Sequence, residues 1–167
     1  MTTFVTLEQI DQAADAIRTQ TSYKPRVGII LGSGLNDLAD SVQKADTIPY
    51  NDLPNWPRST VFGHAGRLVI GELEGQSVLI MQGRVHFYEG YSMSQVTLPV
   101  RVMLRLGIEM MFVTNAAGGV NPEFVPGDVM LITDNLNMVG MTGNNPLMGP
   151  NIDELGPRFP DMSRSYD

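Results

Sequence analysis

The sequence predicts an α/β fold, and three apolar runs predict it. Val27-Gly28-Ile29-Ile30-Leu31 leads into Gly32-Ser33-Gly34. Val78-Leu79-Ile80-Met81 leads into Gln82-Gly83-Arg84-Val85-His86, and Met111-Phe112-Val113 into Thr114-Asn115-Ala116-Ala117-Gly118-Gly119. A short, almost unbroken apolar run that ends in glycine has the pattern of a strand buried on both faces as it leaves a sheet. Ligands of open α/β sheets gather outside the carboxyl ends of such strands, where small residues let backbone N–H groups approach an anion. Loops that carry a Ser, an Arg, a His and an Asn point to one anion site assembled from distant parts of the chain.

The elements follow in order. Thr6-Leu7-Glu8-Gln9 is a capping box, and Ile10, Ala13, Ala14 and Ile17 then share one helical face. This helix is expected to cover one edge of the sheet, with Lys24-Pro25 ending the connection to the first strand. After Gly34, the spacing of Leu35, Leu38, Ala39 and Val42 predicts a helix whose N-terminus faces the glycine turn, an arrangement that favours anions. Residues 46–58 hold three prolines and Trp56, which reads as a strand piece followed by an irregular loop. Residues 68–73 and 77–81 flank Glu74-Gly75-Gln76 as the arms of a hairpin. Residues 94–106, closed by Gly107, predict a single helix with Pro99 near its start. Residues 128–133 predict a further strand, and residues 140–160, crowded with Gly, Pro and Asn, a long loop. The pattern is entering another helix at Ser165-Tyr166-Asp167, so the domain reads as incomplete.

At 167 residues with 43% hydrophobic content, the chain is long enough for a single domain with a real core. No apolar stretch reaches the length of a membrane span, and Met1-Thr2-Thr3-Phe4-Val5 lacks the basic and apolar regions of a secretion signal. The expected compartment is the cytoplasm. Without cysteine there are no disulfides, thiolate metal sites or Cys nucleophile. No His, Asp and Glu cluster has metal-ligand spacing, so no metal is expected. A net charge of −7 argues against nucleic acid or an anionic membrane as partner. Only Lys24 and Lys44 are lysines, and the other nine basic residues are arginines. An anion bound against the overall field needs local groups, which makes the placement of Arg84 informative.

Gly32-Ser33-Gly34 is not a dinucleotide fingerprint, because Asp37 stands where the third glycine belongs, and no Lys follows to make a P-loop. Taken alone, it fits a ligand-free βα turn equally well. The segment Gln82-Gly83-Arg84-Val85-His86-Phe87-Tyr88-Glu89-Gly90-Tyr91 is more specific. If extended, it places Arg84, His86 and Tyr88 on one side. Arg supplies a forked donor for phosphate, and His can donate or exchange a proton near neutral pH. The competing reading is an edge strand with exposed polar residues. His64 lies in the glycine-flanked turn Gly63-His64-Ala65-Gly66. The small residues from Asn115 to Gly119 suit either a ligand close to the backbone or a closely packed helix.

In this order, Gly32-Ser33-Gly34, Gly63-His64-Ala65-Gly66, the 82–91 segment, Val96-Thr97-Leu98-Pro99-Val100-Arg101, residues 114–119 and Arg158-Phe159-Pro160-Asp161-Met162-Ser163 resemble the motifs of trimeric-type purine nucleoside phosphorylases. The resemblance covers nearly the whole chain. It implies an α/β domain over residues 1–167 with a mixed, barrel-like central sheet flanked by helices, lacking its C-terminal part. It also implies phosphorolysis of purine ribosides and deoxyribosides, 6-oxopurines such as inosine and guanosine among them. The products are the free base and the sugar 1-phosphate, with inorganic phosphate as co-substrate and no cofactor. Carried over by position, it implies phosphate contacts from Ser33, His64, Arg84, His86 and the Ala116 backbone, with His86 as a catalytic residue. Tyr88 would contact the ribose, and Phe159 would cover the sugar in a neighbour's site within a homotrimer. Two departures stand out. Asp134-Asn135-Leu136-Asn137 replaces the family's Asp-His-Ile-Asn. Family members also extend past Asp167, where they carry the Glu and Asn that bind the purine, a Met and a second phosphate-binding Ser. The competing readings are a methylthioadenosine phosphorylase of the same fold and a truncated, non-catalytic phosphate-binding fragment; the 82–91 string favours the purine nucleoside enzyme.

Overall fold

A computed structural model describes residues 4–59 and 65–166. In chain order its helices and strands are α1 (Leu7–Arg18), β1 (Val27–Ile30), α2 (Asp37–Asp40), β2 (Gln43–Pro49), β3 (Arg67–Leu73) and β4 (Gln76–Gln82). Then come α3 (Met93–Val96), α4 (Leu98–Leu106), β5 (Met110–Val113) and α5 (Met138–Met141). The strands form one mixed sheet in the order β2-β3-β4-β1-β5. β2, β3 and β4 run antiparallel, whereas β1 lies parallel to both β4 and β5.

Alternation along the strands divides the core in two. Ile30, Ile48, Leu68, Ile70, Leu79 and Met81 pack with Ile10, Ala13, Ala14 and Ile17 of α1 and with Leu98, Val102 and Met103 of α4. On the other face, Ile29, Leu31, Val69, Val78 and Ile80 pack against Ala39 and Val42. The runs in β1 and β4 are apolar throughout because both faces are covered. α1 starts as its capping box dictates: Thr6 Oγ1 accepts from the Gln9 N–H at 3.3 Å, and Gln9 Oε1 accepts from the Thr6 N–H at 3.0 Å. It covers a face of the sheet rather than the expected edge, because it lies beside α4 with Asp11 paired to Arg105 at 2.7 Å.

The hairpin forms where expected, with Leu73 opposite Gln76 and only Glu74 and Gly75 between them. Four expectations are corrected. The run Met111-Phe112-Val113 pairs with β1 as a strand, but all of β5 is exposed rather than buried on both faces, because neither apolar cluster reaches it. Residues 94–106 make two helices rather than one, joined at Thr97. Pro99 has no N–H to offer the preceding turn, so the ladder breaks there. The helix expected after Gly34 shrinks to the single turn of α2, whose Asn36 makes no side-chain cap. Residues 128–133 form no strand. A strand needs a ladder partner, and none of the described residues pairs with this segment, so Val129 is 97% exposed and Leu131 88%.

Candidate active site

Three loops leave the sheet side by side, because β4, β1 and β5 are parallel neighbours in that order. Met81 and Val113 flank Ile30 in register, so the loops beginning at residues 83, 31 and 114 open at the same end.

Gly32 makes the tightest approach between them. A Cβ there would stand 2.6 Å from Thr114 O and 2.7 Å from Asn115 Cα. Its N–H donates to Thr114 Oγ1 at 2.8 Å, and that hydroxyl donates to the Ile30 carbonyl at 3.1 Å. Glycine at this position is what lets the β1 and β5 loops touch.

Arg84 ties in the third loop. Half-buried, it donates from Nη1 to the Thr114 carbonyl at 2.7 Å. Burial lowers its pKa from the ordinary value and Tyr88 opposes that, but a guanidinium starts so far above neutrality that it stays a cation. One of its N–H groups is engaged this way, and the planar fork keeps others for an anion.

Beyond Arg84 the chain turns. Phe87–Glu89 is a 3₁₀ turn, so the extended alternation expected for Arg84, His86 and Tyr88 is broken. The turn instead stacks the His86 and Tyr88 rings at 4.8 Å with 11° between their planes. Glu89 Oε1 accepts from the His86 backbone N–H at 2.7 Å, and Glu89 Oε2 accepts from the Ser59 hydroxyl at 3.2 Å.

Arg84 and His86 border a cleft of about 410 Å³. Arg84, His86 and Asn115 give it polar lining, and Trp56, Pro57, Phe87 and Val100 give it apolar walls. A cation, an imidazole and an amide beside a loop of small residues suit an oxyanion. The apolar walls suit the uncharged remainder of a ligand.

Of the residues expected at the site, Arg84 and His86 line the cleft. Ser33 stands exposed on the adjacent β1 loop, and Ala116 stands exposed one residue beyond Asn115. Tyr88 is 74% exposed and Phe159 88%. His64 lies outside the described residues. Sequence reasoning missed Tyr50, which is buried just after β2 and donates its hydroxyl to the Gly83 carbonyl at 2.7 Å. Burial pushes its phenol pKa up, so it remains a protonated donor. The only signal for it was an aromatic in a proline-rich segment. Gln82 was likewise missed as a link: its Nε2 donates to the Asn36 carbonyl at 3.1 Å, and its Oε1 accepts from Arg67.

Among the described residues, no group of three or more His, Cys, Asp or Glu is placed to hold a metal ion. No helix among them is long and apolar enough to cross a membrane.

Residues 26–167 match the family model described as the phosphorylase superfamily. The chain is 57% identical over 157 residues to purine nucleoside phosphorylase 1 of Geobacillus stearothermophilus, covering 94% of this chain and 56% of that protein. It is 52% identical over 162 residues to the purine nucleoside phosphorylase of Rattus norvegicus, covering 97% of this chain and 56% of the relative. Among solved structures, purine nucleoside phosphorylase of Schistosoma mansoni in complex with inosine superposes with a TM-score of 0.91 at 44% identity. That match takes in 100% of this chain and 58% of the other. The chain thus spans little more than half the length of the relatives it matches.

Proposed function

Since this chain belongs to the phosphorylase superfamily, we propose that the whole protein cleaves purine ribonucleosides and deoxyribonucleosides with inorganic phosphate. The products are the free base and the sugar 1-phosphate. The substrate class is taken from relatives named purine nucleoside phosphorylase and from the Schistosoma enzyme in complex with inosine. Inosine and guanosine are therefore the proposed substrates, phosphate the co-substrate, and the cytoplasm the compartment; no cofactor takes part. One observation carries the reading. Arg84, His86 and Asn115, from two loops on either side of β1, line one cleft at the carboxyl ends of three parallel strands.

In this reaction a phosphate oxygen bonds to the anomeric carbon as the bond to the purine nitrogen breaks. The bonding pair leaves with the base, and the proton of the attacking hydrogen phosphate ends on the base by way of solvent, so that a sugar 1-phosphate dianion and a neutral base result. Attack opposite the leaving base inverts the anomeric carbon. The sugar passes through an oxocarbenium-like state, as in glycoside hydrolysis. A phosphate dianion fixed beneath it stabilises that cation and then captures it. The work of the protein is to hold the nucleophile in line within preorganised charge. We assign the phosphate to Ser33, His64, Arg84, His86 and the Ala116 backbone, with His86 as a catalytic residue that helps to hold it, and the ribose to Tyr88. Phe159, an exposed ring, is assigned to a neighbour's sugar site in a homotrimer.

The test uses the full-length protein with inosine and phosphate, following release of hypoxanthine. Arg84→Ala should raise KM for phosphate and lower kcat. A lost charge-assisted hydrogen bond is worth about 1.5–3 kcal/mol, roughly tenfold or more. Unchanged phosphate kinetics would remove Arg84 from the site, and absence of hypoxanthine would sink the reading.

A further inference from the structure

The strand that delivers Arg84 ends its ladder at Gln82, opposite Arg67. Gly83 therefore lies beyond the ladder, and among the described residues no strand neighbour fixes the orientation of the peptide that joins it to Arg84. Its φ of +103° is a conformation glycine adopts freely, so local sterics do not fix that peptide either. What holds it is Tyr50. The hydroxyl reaches across from the end of β2 and donates to the Gly83 carbonyl at 2.7 Å.

Tyr50 is itself held. Its backbone N–H donates to the Gly66 carbonyl at 2.9 Å, its ring lies 5.4 Å from that of Trp56, and only 3% of the residue is exposed. Arg84 is thus fixed at both ends, by Tyr50 through Gly83 at its base and by the Thr114 carbonyl at its tip. Tyr50 also borders the same cleft as the guanidinium.

We propose that Tyr50 is a positioning residue, whose hydroxyl sets the Gly83 peptide and through it the aim of the Arg84 guanidinium at phosphate. This rests on the assignment of phosphate to Arg84 given above. Catalytic geometry is unforgiving, since a misplacement of about 1 Å can cost on the order of 100-fold. Tyr50→Phe keeps the ring and its packing but leaves the Gly83 carbonyl without its donor, so the peptide is released to turn.

The experiment titrates inorganic phosphate into the full-length protein by calorimetry and measures KM for phosphate and for inosine. It compares wild type with Tyr50→Phe and with Leu53→Ala, a buried neighbour that packs in the core and does not border the cleft. Tyr50→Phe should weaken phosphate binding and raise its KM about tenfold while leaving KM for inosine within about twofold. Leu53→Ala should lower Tm yet bind phosphate as wild type does. Wild-type phosphate affinity in Tyr50→Phe overturns the positioning role alone. Equal weakening in both variants, or failure of Tyr50→Phe to fold where Leu53→Ala folds, makes the hydroxyl a stability element and also overturns it. A wild type that neither binds phosphate nor releases hypoxanthine overturns the functional reading and this inference with it.

Discussion

Gly32 and Gly34 sit two residues apart in one turn and are there for different reasons. At Gly32 the obstacle is space, because a Cβ would meet the Thr114 carbonyl oxygen at 2.6 Å, and that oxygen belongs to backbone that cannot swing aside. At Gly34 the obstacle is conformation: φ is +85°, and a Cβ there would have nothing within 4 Å. Gly32→Ala should therefore part the β1 and β5 loops. Overpacking of this kind is worth about 1–3 kcal/mol, and Asn115 should move with Thr114, so both Tm and phosphate affinity should fall. Gly34→Ala should cost about 1–2 kcal/mol from its left-handed backbone alone and leave the β5 loop in place. Thermal melts with phosphate titrations separate the two, and an unchanged phosphate affinity in Gly32→Ala would deny that the loops work as one site. The sequence marked both glycines as a turn but could not distinguish these roles, since the atoms Gly32 meets lie 82 residues away.

At the scale of elements, the hairpin shows what local chemistry can settle. Glu74 and Gly75 both take positive φ, +47° and +73°, the pattern of a two-residue turn matched to strand twist. Glu fits that backbone poorly, whereas Asn tolerates it. Glu74→Asn should stabilise the chain, read as a higher denaturant midpoint at unchanged slope. A lower midpoint would mean that the exposed Glu74 side chain contributes something the turn geometry does not reveal. Helix and strand expectations fared less evenly. The capping box and apolar face of α1 were legible because every partner lies within three or four residues. The strand expected at 128–133 was not decidable this way, because its apolar residues specify burial but not against what.

Across the whole molecule, burial is uneven. The fully buried residues of the two apolar clusters end at Ile108, with Ile152 and Leu155 packed partly buried against the first. Beyond Ile108 the apolar side chains are largely uncovered: Met110, Met111, Phe112 and Val113 of β5 are all exposed, as are Val120, Val125 and Leu136. Among the described residues β5 is also a margin of the sheet, with one ladder partner, β1. Exposed apolar area beside an unpaired strand edge favours association. A polypeptide of residues 1–167 should therefore bind a hydrophobic dye strongly and sediment as aggregates. A monodisperse 1–167 polypeptide with little dye binding would show that these surfaces are tolerated in water.

The sequence by itself determined that the runs of β1 and β4 are strands buried on both faces, where the chain turns, and which loops carry Ser33, Arg84, His86 and Asn115. Those are statements about neighbours along the chain, set by side-chain period, caps and glycine. Tertiary structure decided the strand order, and with it the site. β1 lies between β4 and β5, so a carbonyl at Thr114 comes within 2.7 Å of a guanidinium at Arg84, 30 residues away in sequence. It also decided that Tyr50, unremarkable in a proline-rich stretch, should grip Gly83. Periodicity records which residues avoid water, but not which hydrogen-bonding groups meet once they have done so. That depends on how strands pair, and pairing is settled only when the whole sheet assembles.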